Sequence, residues 1–173
     1  EADVLKTEIG ALFEDRAVVV GNLPYNISIK IFERCTNYIR SFKRLVFMFQ
    51  KEAADRLIAE PGGKIYSSLS VYAAYHYEIK KVCRIGGGNF FPKTKASSSV
   101  LEFTPHERRL LPPEQEDGFF DFVRSCFRLK RKTLRNNTSF TADSLKELGF
   151  SESVRAEQLS IADFIRLYRE LKI

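Results

Sequence analysis

Residues 17–25 read Ala17-Val18-Val19-Val20-Gly21-Asn22-Leu23-Pro24-Tyr25. A β-branched run that stops at glycine has the composition of a strand buried on both faces of a parallel sheet. Apolar residues at helical spacing come next, Ile29, Ile31, Phe32, Cys35 and Ile39 behind Ser28. Arg44-Leu45-Val46-Phe47-Met48-Phe49 then repeats the buried-strand pattern. Strand, helix and strand of these lengths predict a βαβ crossover, and with it the α/β fold class.

The remaining elements are read outward from that unit. Ala53, Ala54, Leu57 and Ile58 make an amphipathic helix over 51–59, ended by Pro61-Gly62-Gly63. Another helix is expected over 67–77, then strands over 79–85 and 99–103. The loop between those strands, 86–98, is rich in Gly, Phe, Pro and Ser and sits where an antiparallel pair would turn. From 105 to 117 the composition shifts to mixed charge around Pro112-Pro113, which marks a linker. Beyond it every signal is helical: one long helix over 119–136, a short one over 141–148 closed by Gly149, and a last one over 160–171 with Ser160 and Asp163 as a capping box.

Bulk properties narrow the function classes. The chain has 173 residues, 44% of them hydrophobic, enough for one core or one core and a small appended layer. Lys and Arg number 28 against 22 Asp and Glu, a formal charge of +6, which favours a polyanionic partner. No apolar run is long enough to span a membrane. Cys35, Cys83 and Cys126 are widely dispersed, with only His76 and His106 as possible companions, so no metal site is expected. Dispersed cysteines of odd number read as reduced thiols in a cytoplasmic protein.

Asn22-Leu23-Pro24-Tyr25 carries the sharpest chemical reading, because it sits directly after a predicted strand. The exocyclic N6 of adenine is a poor nucleophile, its lone pair being delocalised into the ring. Two acceptors aimed at its two hydrogens would draw it toward tetrahedral geometry. The Asn22 side-chain oxygen and the Leu23 carbonyl can supply them, since Pro24 fixes the turn and forces Leu23 into an extended conformation. Tyr25 offers a ring on which an extruded base can stack. The competing reading is a strand-ending turn with Tyr25 as a core aromatic.

A second feature is electrostatic. At about 100° per residue, Arg124, Arg128, Arg131 and Arg135 fall on one stripe of the predicted 119–136 helix, with Lys132 beside it and Phe119, Val123, Cys126, Phe127 and Leu134 opposite. Six basic residues and no acid lie between 124 and 135, so salt bridges within that stretch cannot neutralise it. A one-signed, Arg-rich ridge suits RNA phosphates, the competing reading being a merely solvated helix face.

Several segments together resemble the KsgA-type ribosomal RNA adenine dimethyltransferases. Asn22-Leu23-Pro24-Tyr25-Asn26-Ile27-Ser28 is similar to their catalytic segment. Gln50-Lys51-Glu52 with Asp55-Arg56-Leu57, Leu69-Ser70-Val71, and Phe90-Phe91-Pro92 with Lys95, Ser98 and Val100 are similar too. Lys130-Arg131-Lys132-Thr133-Leu134-Arg135-Asn136-Asn137 resembles the family's RRKTLRNN signature, and Arg155-Ala156-Glu157-x-Leu159-Ser160 its RAExLS.

The resemblance implies S-adenosylmethionine as methyl donor, adenine N6 of 16S ribosomal RNA in the small ribosomal subunit as acceptor, and two methyl transfers per base. It implies Phe90 as the second aromatic wall opposite Tyr25. It also implies Asp3 and Asn22 as cofactor contacts, Asp3 bonding the adenine amine of the cofactor.

The resemblance is incomplete. The family's glycine-rich ExGxGxG turn does not occur in these residues, Lys93 and Thr94 stand where its loop has proline, Ala96-Ser97 replace a Val-Asp type pair, and Ser67-Ser68 replace Gly-Arg. The expectation is therefore the carboxyl-terminal half of a Rossmann-like methyltransferase sheet over 1–105, a linker over 106–117, and a small all-helical RNA-binding domain over 118–173. Such a chain is expected to be inactive alone. The alternative is a non-catalytic RNA-binding or ribosome-assembly module.

Overall fold

A computed structural model of the chain describes residues 2–171. By contacts the residues group into two units, those up to Asp55 with His76–Arg108, and Arg56–Tyr75 with the residues from Arg109 onward.

The first unit is built on a four-stranded sheet in the order β1-β2-β4-β3, formed by β1 (Ala17–Asn22), β2 (Phe42–Gln50), β3 (Tyr77–Ile85) and β4 (Ser98–Pro105). β1 and β2 are parallel and joined through helix α1 (Ser28–Thr36), which is the expected crossover. β4 runs antiparallel to both β2 and β3. β2 lies inside the sheet, and its run Leu45–Phe49 is correspondingly apolar. Phe32 and Cys35 of α1 press onto the sheet, where the Phe32 ring lies 4.7 Å from Phe103 and 5.5 Å from Tyr77. Burial pushes the Cys35 thiol up to about 11, so it stays protonated and acts as an apolar filler.

The expectation that Val18-Val19-Val20 is buried on both faces does not hold. Burial alternates along β1, and Val18 and Val20 are 56% and 74% exposed. β1 is an edge strand with β2 as its one partner among the described residues, so nothing described covers its outward side chains. The opposite edge, β3, is managed differently. Lys80, Lys81 and Arg84 face solvent there, and a register shift between Lys81 and Cys83 bulges the strand.

The second unit is helical. Its core gathers Val71 and Tyr75 of α3 (Ser68–His76), Phe119, Phe120 and Val123 of α4 (Pro113–Cys126), Leu145 of α5 (Ala142–Glu147), and Phe164, Leu167 and Tyr168 of α6 (Ile161–Glu170). α4 and α6 approach closely because position 118 is glycine. A Cβ there would lie 2.5 Å from the Tyr168 hydroxyl, which donates to the Gln115 carbonyl at 3.1 Å. Ser160 and Asp163 form the expected capping box of α6, and Gly149, at φ 73°, ends the segment after α5. Upstream, α2 (Lys51–Leu57) begins where β2 ends.

The long helix expected over 119–136 is corrected at both ends. α4 begins at Pro113, a residue suited to a first helical turn because it lacks an N–H, and it stops at Cys126. Asn137 ends it from outside the helix. This buried side chain accepts from the Leu129 N–H at 3.0 Å and donates to the Leu129 carbonyl at 3.3 Å, replacing helical bonds with a turn. Leu134 then enters the core, fully buried, and its N–H bonds the Val154 carbonyl at 2.8 Å.

Candidate functional site

Asn22 is the last residue of β1, opposite Met48 of β2, so the turn that follows leaves the carboxyl end of a parallel pair. That is the position where open α/β sheets bind ligands. Leu23 is buried and anchors the turn, while Asn22, Pro24 and Tyr25 are exposed. The Pro24 carbonyl accepts from the Ile27 N–H at 3.1 Å, and the Ser28 hydroxyl donates to the Tyr25 carbonyl at 3.1 Å. These bonds lead straight into α1 and hold the turn. The Asn22 amide and the Leu23 carbonyl accept no hydrogen bond from any described residue, so both expected acceptors are available.

Tyr25 is not a core aromatic. The residue is 38% exposed, and its hydroxyl is held by the Ser98 hydroxyl at 2.6 Å, at the first residue of β4. That bond ties the turn after β1 to the end of the loop between β3 and β4. In the same loop Phe90 is half-buried and Phe91 fully exposed.

The loop closes on itself at Gly87, whose carbonyl accepts from the N–H groups of Phe90 at 3.3 Å and Thr94 at 3.2 Å. Only glycine fits there, since a Cβ would lie 1.9 Å from the Thr94 carbonyl oxygen. Beyond Thr94 the Ser97 carbonyl accepts from the Lys51 N–H at 2.9 Å, fixing the loop to the start of α2. There the Lys51 ammonium hydrogen-bonds the Asp55 carboxylate, and that bond holds Asp55 below the usual carboxylate range, with Lys81 at 3.7 Å adding to it.

Asp3 lies in an exposed turn. Its Oδ1 accepts from the Leu5 N–H at 2.9 Å and its carbonyl from the Lys6 and Thr7 N–H groups, which leaves Oδ2 unengaged by described residues. Arg34 of α1 bonds the Thr7 carbonyl at 2.8 Å and so fastens this turn to the crossover helix.

Because α4 stops at Cys126, the basic residues do not form a stripe on one helix. Arg124 is on α4 and pairs with Asp121 at 2.6 Å, an acid just upstream of the stretch considered above. Arg128, Arg131 and Lys132 project from the turn folded around Asn137, and Arg135 from a short 3-10 turn over Leu134–Asn136. All four are exposed and make no ion pair with a described residue. Nearby, burial pushes the Cys126 thiol up to about 12.

Two features escaped sequence reasoning. Ser98 was visible only as a motif letter, not as the partner of Tyr25. Tyr66 and Lys64 line a cavity with the basic turn and carry no local signal, and Arg56 and Arg155, which line it too, were visible only as motif letters.

The sheet and the turn at the end of its parallel pair define a Rossmann-like α/β fold. A crystal structure of a dimethyladenosine transferase from Plasmodium falciparum matches it with a TM-score of 0.83 and 28% identity, over 99% of this chain and 71% of that one. The 23S rRNA methyltransferase ErmE shares the fold, with a TM-score of 0.75 at 19% identity over 99% of this chain and 70% of its own. The family model described as ribosomal RNA adenine dimethylase matches residues 1–172.

Among curated relatives, ribosomal RNA small subunit methyltransferase A of Acidithiobacillus ferrooxidans is 36% identical over 171 residues, 96% of this chain and 64% of that protein. The enzyme of the same name from Pasteurella multocida is 37% identical over 180 residues, 96% of this chain and 62% of its own. The chain belongs to the ribosomal RNA adenine dimethylase family. It spans a little under two thirds of the length of these two relatives.

Proposed function

We propose that this protein transfers methyl groups from S-adenosylmethionine to the N6 amines of adenines in small-subunit (16S-type) ribosomal RNA, forming dimethyladenosine, in the cytoplasm. The observation that carries this reading is the pair of free acceptors, the Asn22 amide and the Leu23 carbonyl, beside a Tyr25 ring fixed by Ser98. An adenine extruded from its stack lies on the Tyr25 face, and Phe90 closes the other side. The two acceptors then take the two N6 hydrogens and draw the nitrogen out of conjugation, while Pro24 keeps both from rotating away. The catalytic set is thus Asn22, Leu23, Pro24, Tyr25 and Phe90.

The residues present fit one side of a cofactor. Asp3 has an unengaged carboxylate oxygen for an adenine amine, and Asn22 has an unengaged amide. S-adenosylmethionine, when bound, supplies an electrophilic methyl group. The family's ExGxGxG segment does not occur in these 173 residues, so the side of the cofactor it would hold is not among them. RNA is held by Arg124, Arg128, Arg131, Lys132 and Arg135. In this reading the sheet unit is the partial methyltransferase domain, and the helical unit, which takes in Arg56–Tyr75 and the whole of α4 from Pro113, is the RNA-binding domain.

Asn22→Ala in a methylating form of the protein tests it. The loss acts on the transition state, so turnover should fall by at least about a hundredfold while RNA affinity stays within a few-fold. Near-normal turnover, read by tritium transfer from labelled cofactor, removes the assignment.

A further inference from the structure

A cavity of about 430 Å³ opens in the helical unit, away from every residue of the catalytic set in sequence. Tyr66 and Phe127 are among its lining residues, with their rings 5.9 Å apart and nearly perpendicular. Around them stand Arg56, Lys64, Lys130, Arg131, Lys132 and Arg155, against the single carboxylate of Glu157. Glu157 lies 3.8 Å from Arg155, and the other five cations have no ion pair with a described residue. Uncompensated positive charge around a concave wall focuses its field on whatever enters.

The Tyr66 ring contributes to the wall, while its hydroxyl is closed off from the cavity. That hydroxyl is buried and has no hydrogen-bond partner among the described residues, which is rare for a hydroxyl. The carboxylate that influences it, Asp163, is already engaged by the Ser160 N–H and hydroxyl. Burial, with the Asp163 charge adding to it, pushes the phenol up to about 12, so it stays protonated.

We propose that this cavity receives one unpaired nucleotide of the bound RNA, its phosphate among the cations and its base against Phe127. The volume suits a single nucleotide and excludes a duplex. An aromatic wall with a cationic rim is what sequence-tolerant single-strand binding uses. This rests on the RNA-binding reading above and goes beyond it by naming a pocket and the RNA state it takes.

The test compares binding of the 173-residue chain to a single-stranded RNA of about 12 nucleotides and to a blunt RNA duplex, with ultraviolet crosslinks mapped by mass spectrometry. Lys130→Gln removes one exposed charge from the rim. It should weaken single-strand binding several-fold, lower its salt slope by about 0.7 and leave duplex binding unchanged. Lys64→Gln, at an exposed position that cannot compromise folding, should lower the single-strand salt slope by about 0.7. Crosslinks should fall on Tyr66 or Phe127. If wild type binds RNA but both variants match it and the crosslinks avoid these rings, the cavity is overturned while RNA binding stands. If wild type binds neither RNA, both readings fall.

Discussion

Asn137→Ala is the perturbation that most directly probes how the basic turn is built. Asn137 is 5% exposed and makes two hydrogen bonds to the backbone of Leu129, at 3.0 and 3.3 Å. Each such bond contributes about 0.5–1.5 kcal/mol net, and a buried partner left unsatisfied adds to that cost. Leu129 itself is 45% exposed, so water can recover part of its backbone once the turn loosens. The expected destabilisation is therefore about 1.5–2.5 kcal/mol rather than the sum of two full penalties.

For a chain of this length that lowers the melting temperature by roughly 3–10 °C. Asn136→Ala is the internal control. Asn136 is exposed and bonds only the Thr133 hydroxyl, at 2.8 Å, so its loss should stay within about 0.5 kcal/mol. Urea unfolding followed by far-ultraviolet circular dichroism and by tyrosine fluorescence reads both. Equal midpoints for the two variants would mean that the turn does not depend on Asn137, and that the end of α4 is set elsewhere.

Three other measurements bear on the site. Asn22→Ala should abolish methylation with RNA affinity kept, as argued from the two free acceptors. Replacing Arg128 and Arg131 together with glutamine should lower the slope of log affinity against log salt by roughly 1.4–1.8, equally for unrelated RNAs, because phosphate contacts position without specifying sequence; an unchanged slope makes them solvated surface. Asp55 is held below its ordinary value near 3.8, chiefly by the Lys51 hydrogen bond, so its contribution to stability is full above that value and is lost as pH falls through the lowered one. Asp55→Asn should thus be less stable than wild type at pH 7 and converge with it in acid, and a gap that persists undiminished in acid would assign the effect to packing.

The sequence was legible where one short segment carried the whole message. Asn22-Leu23-Pro24-Tyr25 reads as a turn that ends a strand, and the structure puts it at the carboxyl end of β1. The βαβ order was legible for the same reason, since periodicity is a local property. Legibility failed where the deciding partner lay far along the chain. The composition of Val18-Val19-Val20 fits a strand buried on both faces, and only the lack of a glycine-rich first strand in these residues marked it as an apolar edge, which is where the structure has it. Tyr25 is fixed by Ser98, 73 residues away.

The end of α4 is the failure with functional weight. Helical spacing alone placed Arg124, Arg128, Arg131 and Arg135 on one straight stripe, and only the side chain of Asn137 and the carbonyl of Val154 reveal the turn. The charge is unchanged but its geometry is not. A straight stripe would lie along the backbone of an RNA helix. A turn folded back beside Tyr66 and Phe127 instead lines a cavity with Lys130, Arg131 and Lys132, and a cavity of that size selects an RNA strand from which one nucleotide can be spared.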